Sequence, residues 1–387
     1  MNKRKIINDP VYGFTTIPDD LIYDLVQHPY FQRLRRIKQL GLSDFVYPGA
    51  QHSRFQHALG ALHLMCLAIE VLRSKGVAIE ENEARGAQIA ILLHDIGHSP
   101  FSHALEKKLV PLDHEKISIL YMQALNNEFN GQLTEAIRIF TNKHPKKFLS
   151  QLVSGQLDLD RMDYLNRDSF FTGVAEGVIG YQRIIKMLNV VENQLVVEEK
   201  GIYSIEKFLQ SRRIMYWQVY LHKTVLAAEK MLIHWFLLLS EDTALLKQNS
   251  ALNALLKSRY PQDNLLSLFA SIDDIDIFFA LKSSLHSSNR KLRILANGLV
   301  NRNLFKCMLS DHPIPPRVIK QLLKVDPDRL IFKGKESNSN YNMKINEIMI
   351  YTKTGVVMPL SSFEGFQHLA PSDSKYYLVY QSDNEIK

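Results

Sequence analysis

His94-Asp95-Ile96-Gly97-His98-Ser99-Pro100-Phe101-Ser102-His103 follows without a break on Ile89-Ala90-Ile91-Leu92-Leu93. The apolar run keeps helical spacing from about Asn82. It predicts a buried helix that ends near Gly97 and delivers His94 and Asp95 from its last turn. Setting so many ionisable groups against an apolar core is costly unless a ligand or a set of partners offsets the burial. The stretch therefore dictates its surroundings: helices packed around it, supplying further polar groups from distant parts of the chain.

Working outward, Pro29 at a first turn and Gly41 at a stop predict a helix over residues 29–40 carrying Arg33 and Arg36. A second helix is expected from Gln56 to Lys75. Ser99 followed by Pro100 reads as an N-cap and first-turn pair, which predicts a helix carrying Ser102, His103 and Glu106. Asp113 caps a helix bearing His114 and Glu115, and Asp158 caps one running through Asp168. Leu195 to Glu199, Lys200-Gly201 and Ile202-Tyr203 read as a hairpin. Ser204 then opens a long amphipathic helix to about Leu239. After residue 330 come Arg329-Leu330-Ile331-Phe332, a Ser337-Asn338-Ser339-Asn340 loop, and β-rich runs Ile345 to Tyr351, Val356 to Leu360 and Tyr376 to Tyr380. The expected fold is mainly α, a helical bundle with a small β hairpin and a separate C-terminal α+β tail. Its divisions are a core over 1–240, a helical extension over 241–330 and a small region over 331–387.

With 387 residues, 46% of them hydrophobic, the chain is long enough to bury a large core. No run of uniformly apolar residues reaches the roughly 18 to 20 of a bilayer span, and Met1-Asn2-Lys3-Arg4-Lys5 leads to Asp9 and Pro10 instead of an apolar signal core. A cytoplasmic protein without a membrane partner is expected. Cys66 and Cys307 lie far apart in apolar stretches, which suits reduced packing residues better than a disulfide or a thiolate metal site. The net charge of +7 favours anionic ligands. Arg33-Leu34-Arg35-Arg36 and Lys143-His144-Pro145-Lys146-Lys147 have no aromatic recognition motif beside them, so nucleic acid is not the primary partner.

Imidazole and carboxylate from His94-Asp95 suit one divalent ion, and a distant His and Asp would complete its shell. Of His52, His57 and His63 upstream, His57 is the choice, because Arg54 precedes it by about one turn and could hold a phosphate near the ion. His63 reads as a packed core histidine. Downstream, Asp158, Asp160, Asp163 and Asp168 crowd one segment, and positions 160, 164, 167 and 168 share a helix face. Asp160 then reaches the ion while Tyr164 and Asp168 line a polar cavity, the alternative being a surface helix with internal ion pairs. His103 and Glu106, three apart, form an acid-base dyad. His114 beside Glu115 offers a phosphate contact or proton shuttle, or else a first-turn surface histidine. His98 faces a transferring phosphate. His28, His144, His222, His234, His286, His312 and His368 have no comparable neighbours and read as structural or exposed. Such a donor set suits Mn, Fe, Zn, Ni, Co or Mg. The ion would lower the pKa of water, roughly from 15.7 toward 7 in the favourable case of zinc, and polarise a phosphoryl oxygen. Arg54, His98, Arg161 and Tyr164 would offset phosphate charge while His103 donates to the leaving oxygen.

At these residues the sequence resembles the HD-domain phosphohydrolases, whose pattern of His, His-Asp and a distant Asp matches His57, His94-Asp95 and Asp160. The likeness extends to Gln39-Leu40-Gly41, Tyr47-Pro48-Gly49-Ala50, Ser53-Arg54-Phe55-Gln56-His57, His114-Glu115 and Asp160-Arg161-Met162-Asp163-Tyr164. Over roughly residues 5–240 these motifs are similar to the deoxynucleoside triphosphate triphosphohydrolase branch. The resemblance implies an HD-domain bundle that hydrolyses a dNTP at its α-phosphate to deoxynucleoside and tripolyphosphate. It also implies that Gln39 contacts the sugar 3′-hydroxyl, Leu40 crowds the 2′ position, Tyr164 packs on the sugar and Asp168 binds the 3′-hydroxyl. Arg54, His98, His103, His114 and Arg161 form the phosphate set. By position, Glu206 falls where that branch presents an aromatic to the sugar. Relatives of the branch are dimers or tetramers, some with an activating nucleotide between subunits, so a homodimer or homotetramer and a nucleotide activator are expected. Two other functions fit the residues less fully. One is an HD-type phosphatase or phosphodiesterase for another nucleotide or phosphorylated metabolite. The other is a catalytically silent nucleotide-sensing or nucleic-acid-binding HD protein.

Overall fold

The computed structural model describes residues 5–258, 264–337, 347–363, 366 and 374–382, and of His103 the backbone alone. The architecture is mainly α. Seven helices matter for the site: α1 (Arg54–Ser74), α2 (Glu81–Leu93), α3 (His114–Glu128), α4 (Leu159–Thr172), α5 (Ile202–Met215), α6 (Lys223–Glu241) and α7 (Asp274–Ser283). Helix α1 is the axis of the bundle and packs against both α2 and α4. By length and composition its 21 residues could cross a membrane, contrary to the reading of the sequence, but 67% of its most apolar window is buried inside the protein. Its approach to α4 is close enough to require glycine. A Cβ on Gly60 would lie 2.0 Å from Asp163 Oδ1 and 2.1 Å from Arg167 Nη2.

Helix starts follow local chemistry. Ser53 precedes α1, with Gln56 Oε1 accepting from the Ser53 amide at 2.8 Å. Asp113 and Asp158 cap α3 and α4 as expected, each accepting an amide of the first turn. His28 and His222, read as structural, are helix caps too, accepting from the Tyr30 and Thr224 amides.

Other elements depart from the expectation. The helix expected over 29–40 is one α-turn, Pro29–Gln32, continued by a 3-10 turn to Arg36. The hairpin lies one strand upstream. With β1 (Ile6–Asp9) and β2 (Gly13–Thr16) forming an N-terminal pair, its strands are β3 (Leu188–Val191) and β4 (Gln194–Glu198). Glu192 and Asn193 make the turn with φ of 47° and 65°, whereas residues 199–201 lead directly into α5. The long helix from Ser204 is broken: α5 ends in a π-helical segment, Tyr216–Tyr220, before His222 caps α6. Ser99-Pro100 starts no helix. Phe101 and Ser102 take left-handed φ values of 52° and 53°, and only a 3-10 turn over Ser102–Ala104 follows.

The C-terminal strands join the earlier regions by backbone hydrogen bonds. β5 (Lys306–Ser310) and β6 (Ile331–Ser337) flank β9 (Ser374–Tyr380), while β7 (Met349–Tyr351) pairs parallel with β4 and antiparallel with β8 (Val357–Pro359). One apolar cluster runs through the whole body, from Ile17 to Val379. Of the loop expected after residue 336, Ser337 is the last residue of β6. Asn338-Ser339-Asn340, the start of the β-rich run at Ile345, and His368 lie outside the described residues.

Candidate active site

Three elements converge on one point. α1 carries His57, the turn after α2 carries His94 and Asp95, and the first turn of α4 carries Asp160. The turn after α2 is pressed onto α3, where a Cβ on Gly97 would sit 2.3 Å from His114 O and 2.5 Å from Ser118 N. His57 Nε2 lies 3.3 Å from His94 Nε2 and 3.1 Å from Asp160 Oδ1, and His94 Nε2 lies 3.5 Å from that oxygen. Asp95 Oδ1 is 3.3 Å from His94 Nε2 and 3.1 Å from His98 Nε2, while Arg54 Nη1 holds its other oxygen. His57, His94 and Asp160 form one group able to hold a metal ion; Asp95, His98 and His114 form a second.

The surroundings decide the tautomers. His94 Nδ1 lies 2.6 Å from the Ile91 carbonyl, which can only accept, so the proton of the neutral ring sits on Nδ1. His57 Nδ1 likewise faces Asp163 Oδ2 at 2.7 Å. Asp163 is held by two bonds from Arg167, which reaches on to Asp9. Both Nε2 atoms and a carboxylate oxygen therefore converge on one point, an arrangement that a metal cation, or without one a proton, satisfies. The electrostatics agree. Burial opposes a charge on His57, yet the Asp160 and Asp163 carboxylates raise its pKa to about 10. Burial opposes ionisation of Asp160 too, and the His57 and His94 imidazoles outweigh it, holding the carboxyl well below the usual range. The residues fit a divalent ion.

Beside this cluster opens a cavity of about 810 Å³. Gln39, Leu40, Arg54, His98, Arg161, Tyr164 and Asp168, the seven residues expected to meet substrate, all line it, as do His94, Asp95, His114 and Asp160. His98 is kept neutral by burial and by the Arg54 cation, and its ring stacks on His114 at 4.0 Å. Arg161 pairs with Asp158, whose carboxylate keeps the guanidinium charged.

Two expectations change here. Glu106 is not one helical turn from His103 on a shared helix, because that helix does not form. Glu106 Oε1 binds His114 Nδ1 at 2.7 Å and the His114 amide at 2.9 Å. The side chain of His103 lies outside the described residues. Glu206 is not on the cavity wall; its carboxylate accepts from Gln210. Tyr220 takes the aromatic place, donating to Asp168 Oδ2 at 2.7 Å and meeting the Tyr164 ring edge-on at 6.1 Å. Matching by position to Glu206 misses it; the available signal is the run Tyr216-Trp217-Gln218-Val219-Tyr220 just before the cap residue His222. His52, not chosen as a ligand, bonds Asp168 Oδ1 at 2.8 Å.

The HD domain profile matches residues 54–168 and the HD associated region profile residues 179–313. A crystal structure of a phosphohydrolase from Bacteroides thetaiotaomicron is 47% identical, superimposes with a TM-score of 0.92, and is matched over 98% of this chain and 100% of that one. The chain belongs to the HD-domain phosphohydrolase family. This HD-domain phosphohydrolase is also 37% identical over 239 residues to the uncharacterised protein YwfO of Bacillus subtilis, which covers 60% of this chain and 55% of that protein. It is 31% identical over 322 residues to the deoxynucleoside triphosphate triphosphohydrolase SAMHD1 homologue of Dictyostelium discoideum, covering 78% of this chain and 59% of that protein. The chain thus spans between 55% and 60% of the length of the first curated relatives it matches. The HD profile begins at Arg54 and ends at Asp168, so it encloses the whole convergent group.

Proposed function

We propose that this HD-domain phosphohydrolase cleaves deoxynucleoside triphosphates at the α-phosphate, releasing deoxynucleoside and tripolyphosphate. The observation that carries the reading is one cavity that joins a cationic, imidazole-rich cluster to acceptors suited to sugar hydroxyls. Gln39 Oε1 is buried on that wall without a hydrogen-bond partner among the described residues. Asp168 is clamped by His52 and Tyr220, and each of its oxygens keeps a second lone pair for a substrate hydroxyl. The Dictyostelium relative, named for dNTP hydrolysis, supports the same reading.

A divalent ion held by His57, His94, Asp95 and Asp160 would supply Lewis acidity toward a phosphoryl oxygen and acidify water. The protein does the rest. Arg54 and Arg161 offset charge on the phosphate oxygens, and neutral His98, whose one N–H faces Asp95, orients that carboxylate beside them. Water attacks the α-phosphorus and the bond to the 5′-oxygen breaks. His114, oriented by Glu106 through Nδ1, is placed to donate from Nε2 to that oxygen alongside His103, the donor named from the sequence. Tyr164 and Tyr220 hold the sugar edge-on to each other, and Leu40 crowds its 2′ position. A homodimer or homotetramer in the cytoplasm, with a nucleotide activator, belongs to the same proposal.

The test is a panel of dNTPs and NTPs, alone and mixed, with metal-replete protein and product analysis. Tripolyphosphate from dNTPs is the expected product. Orthophosphate or a nucleoside monophosphate as the sole primary phosphorus product would sink the reading in favour of another HD phosphatase or phosphodiesterase.

A further inference from the structure

Two segments that supply residues to the cavity wall, 38–41 and 98–102, belong to no helix or strand beyond a single turn and one isolated bridge from Lys38 to Ser53. Their backbone conformation must therefore come from other parts of the chain. Between them, Ser102 Oγ donates to the Lys38 carbonyl at 3.1 Å and accepts from Arg54 Nε at 3.0 Å. The outer grip belongs to the HD-associated region. Asp274, the first residue of α7, is buried, and its two oxygens face in two directions. Oδ1 accepts from the Phe101 amide at 2.7 Å and Oδ2 from the Lys38 amide at 2.9 Å. Helix capping does not occupy this carboxylate, because Asp273 caps α7 and Asp276 returns a bond to the Asp273 amide. The neighbouring residues reinforce the grip. Fully buried Arg33 donates to the Ile272 carbonyl at 2.7 Å and to the His98 carbonyl at 2.9 Å, and Arg36 pairs with Asp273.

We infer that Asp274 is a positioning residue of the active site, through which the HD-associated region fixes the two loops that carry Gln39, Leu40 and His98. None of the four metal-holding residues sits between the atoms it grips. Its loss should therefore loosen the substrate wall and leave the ion in place. A carboxylate is needed because both partners are N–H donors. Asparagine, of the same shape, would set its NH2 against one of them. Burial raises the Asp274 pKa to about 6 against the pull of the two amides and of the Lys38 and Arg33 cations. Facing it are Lys38 from one loop, Arg33 from the turn before it, and Asp273, paired with Arg36, and Asp276 from its own helix. Below about pH 6 the proton it takes up meets an N–H, as the amide of an asparagine would at any pH.

The kinetic part of the inference rests on the dNTP reading; the structural part does not. The experiment compares full-length, metal-replete wild type with Asp274→Asn and Asp274→Ala by metal content, site-resolved hydrogen exchange and dNTP kinetics. Both variants should keep the ion. Exchange at the Lys38 and Phe101 amides should accelerate at least about 10-fold while α1 and α4 stay protected. kcat/KM should fall about 10- to 100-fold, chiefly through KM, as expected for a misplaced binding wall. Wild type should lose kcat/KM on acidification through about pH 6, and Asp274→Asn should lack that limb. Unchanged exchange at both amides overturns the inference, and so does exchange that accelerates throughout α1 and α4, which would make Asp274 a general packing residue. If wild type releases no tripolyphosphate while the two amides still lose protection in Asp274→Asn, the positioning role stands and the substrate reading falls.

Discussion

Asp95 stands between the two halves of the site, near His94 on one side and bonded to Arg54 and His98 on the other. Its replacement by alanine should bring metal content to background and abolish hydrolysis together, checked by elemental analysis alongside the product assay. Asp163 is not on the cavity wall, yet it fixes the His57 tautomer. Asp163→Asn should weaken metal affinity about 10- to 100-fold, read by competition with a chelator, as is usual when the partner of a ligating imidazole is lost. His114→Ala is expected to do the reverse, retaining metal while turnover drops about 100-fold or more, in the range of general acid loss. Loss of metal in that variant would mean that His114 holds the ion instead of a proton. At this scale the sequence is readable wherever the partner lies one turn away, as for Asp158 and the Arg161 amide. It is unreadable where the partner comes from elsewhere: no spacing rule joins Glu106 to His114, eight residues on, yet the two are bonded.

Elements obey their caps when nothing stronger competes. Asp113 and Asp158 start α3 and α4 where the sequence says they should. Ser99-Pro100 carries an equally good local signal and starts nothing, since the Phe101 amide is taken by Asp274 and the Ser102 hydroxyl by Lys38 and Arg54. Those bonds hold Phe101 and Ser102 in a left-handed conformation that no helix admits. The hairpin departs from its expected place for a related reason: Lys200-Gly201 has the composition of a turn, but Glu192-Asn193 adopts the paired positive φ that joins two twisted strands. Contact between elements sets a further limit at Gly97, against the first turns of α3. Gly97→Ala should cost about 1–3 kcal/mol, the usual cost of overpacking, seen as a lower melting temperature in calorimetry. An unchanged melting temperature would show that the α2–α3 junction can relax.

For the whole molecule, the region after residue 330 matters more than its composition suggests. β9 is the central strand between β5 and β6, and Glu336 on β6 reaches the cavity wall and pairs with Lys230 of α6. Truncation before Ser374 should leave β5 and β6 as unpaired edges and loosen that wall. The expected outcome is a broadened thermal transition and a raised dNTP KM, and an unchanged melting curve would dismiss it. Read alone, the sequence determined what periodicity and first-turn chemistry control: the mainly α class, the caps of α3 and α4, and which residue types were available to build a metal-binding and phosphate-binding site. The tertiary structure decided the rest: the course of residues 98–104, the contact of Glu106 with His114, and Tyr220 rather than Glu206 on the cavity wall. The physical reason is range. A cap or an apolar stripe draws on neighbours within a turn or two, whereas the active-site loop answers to a carboxylate 173 residues away.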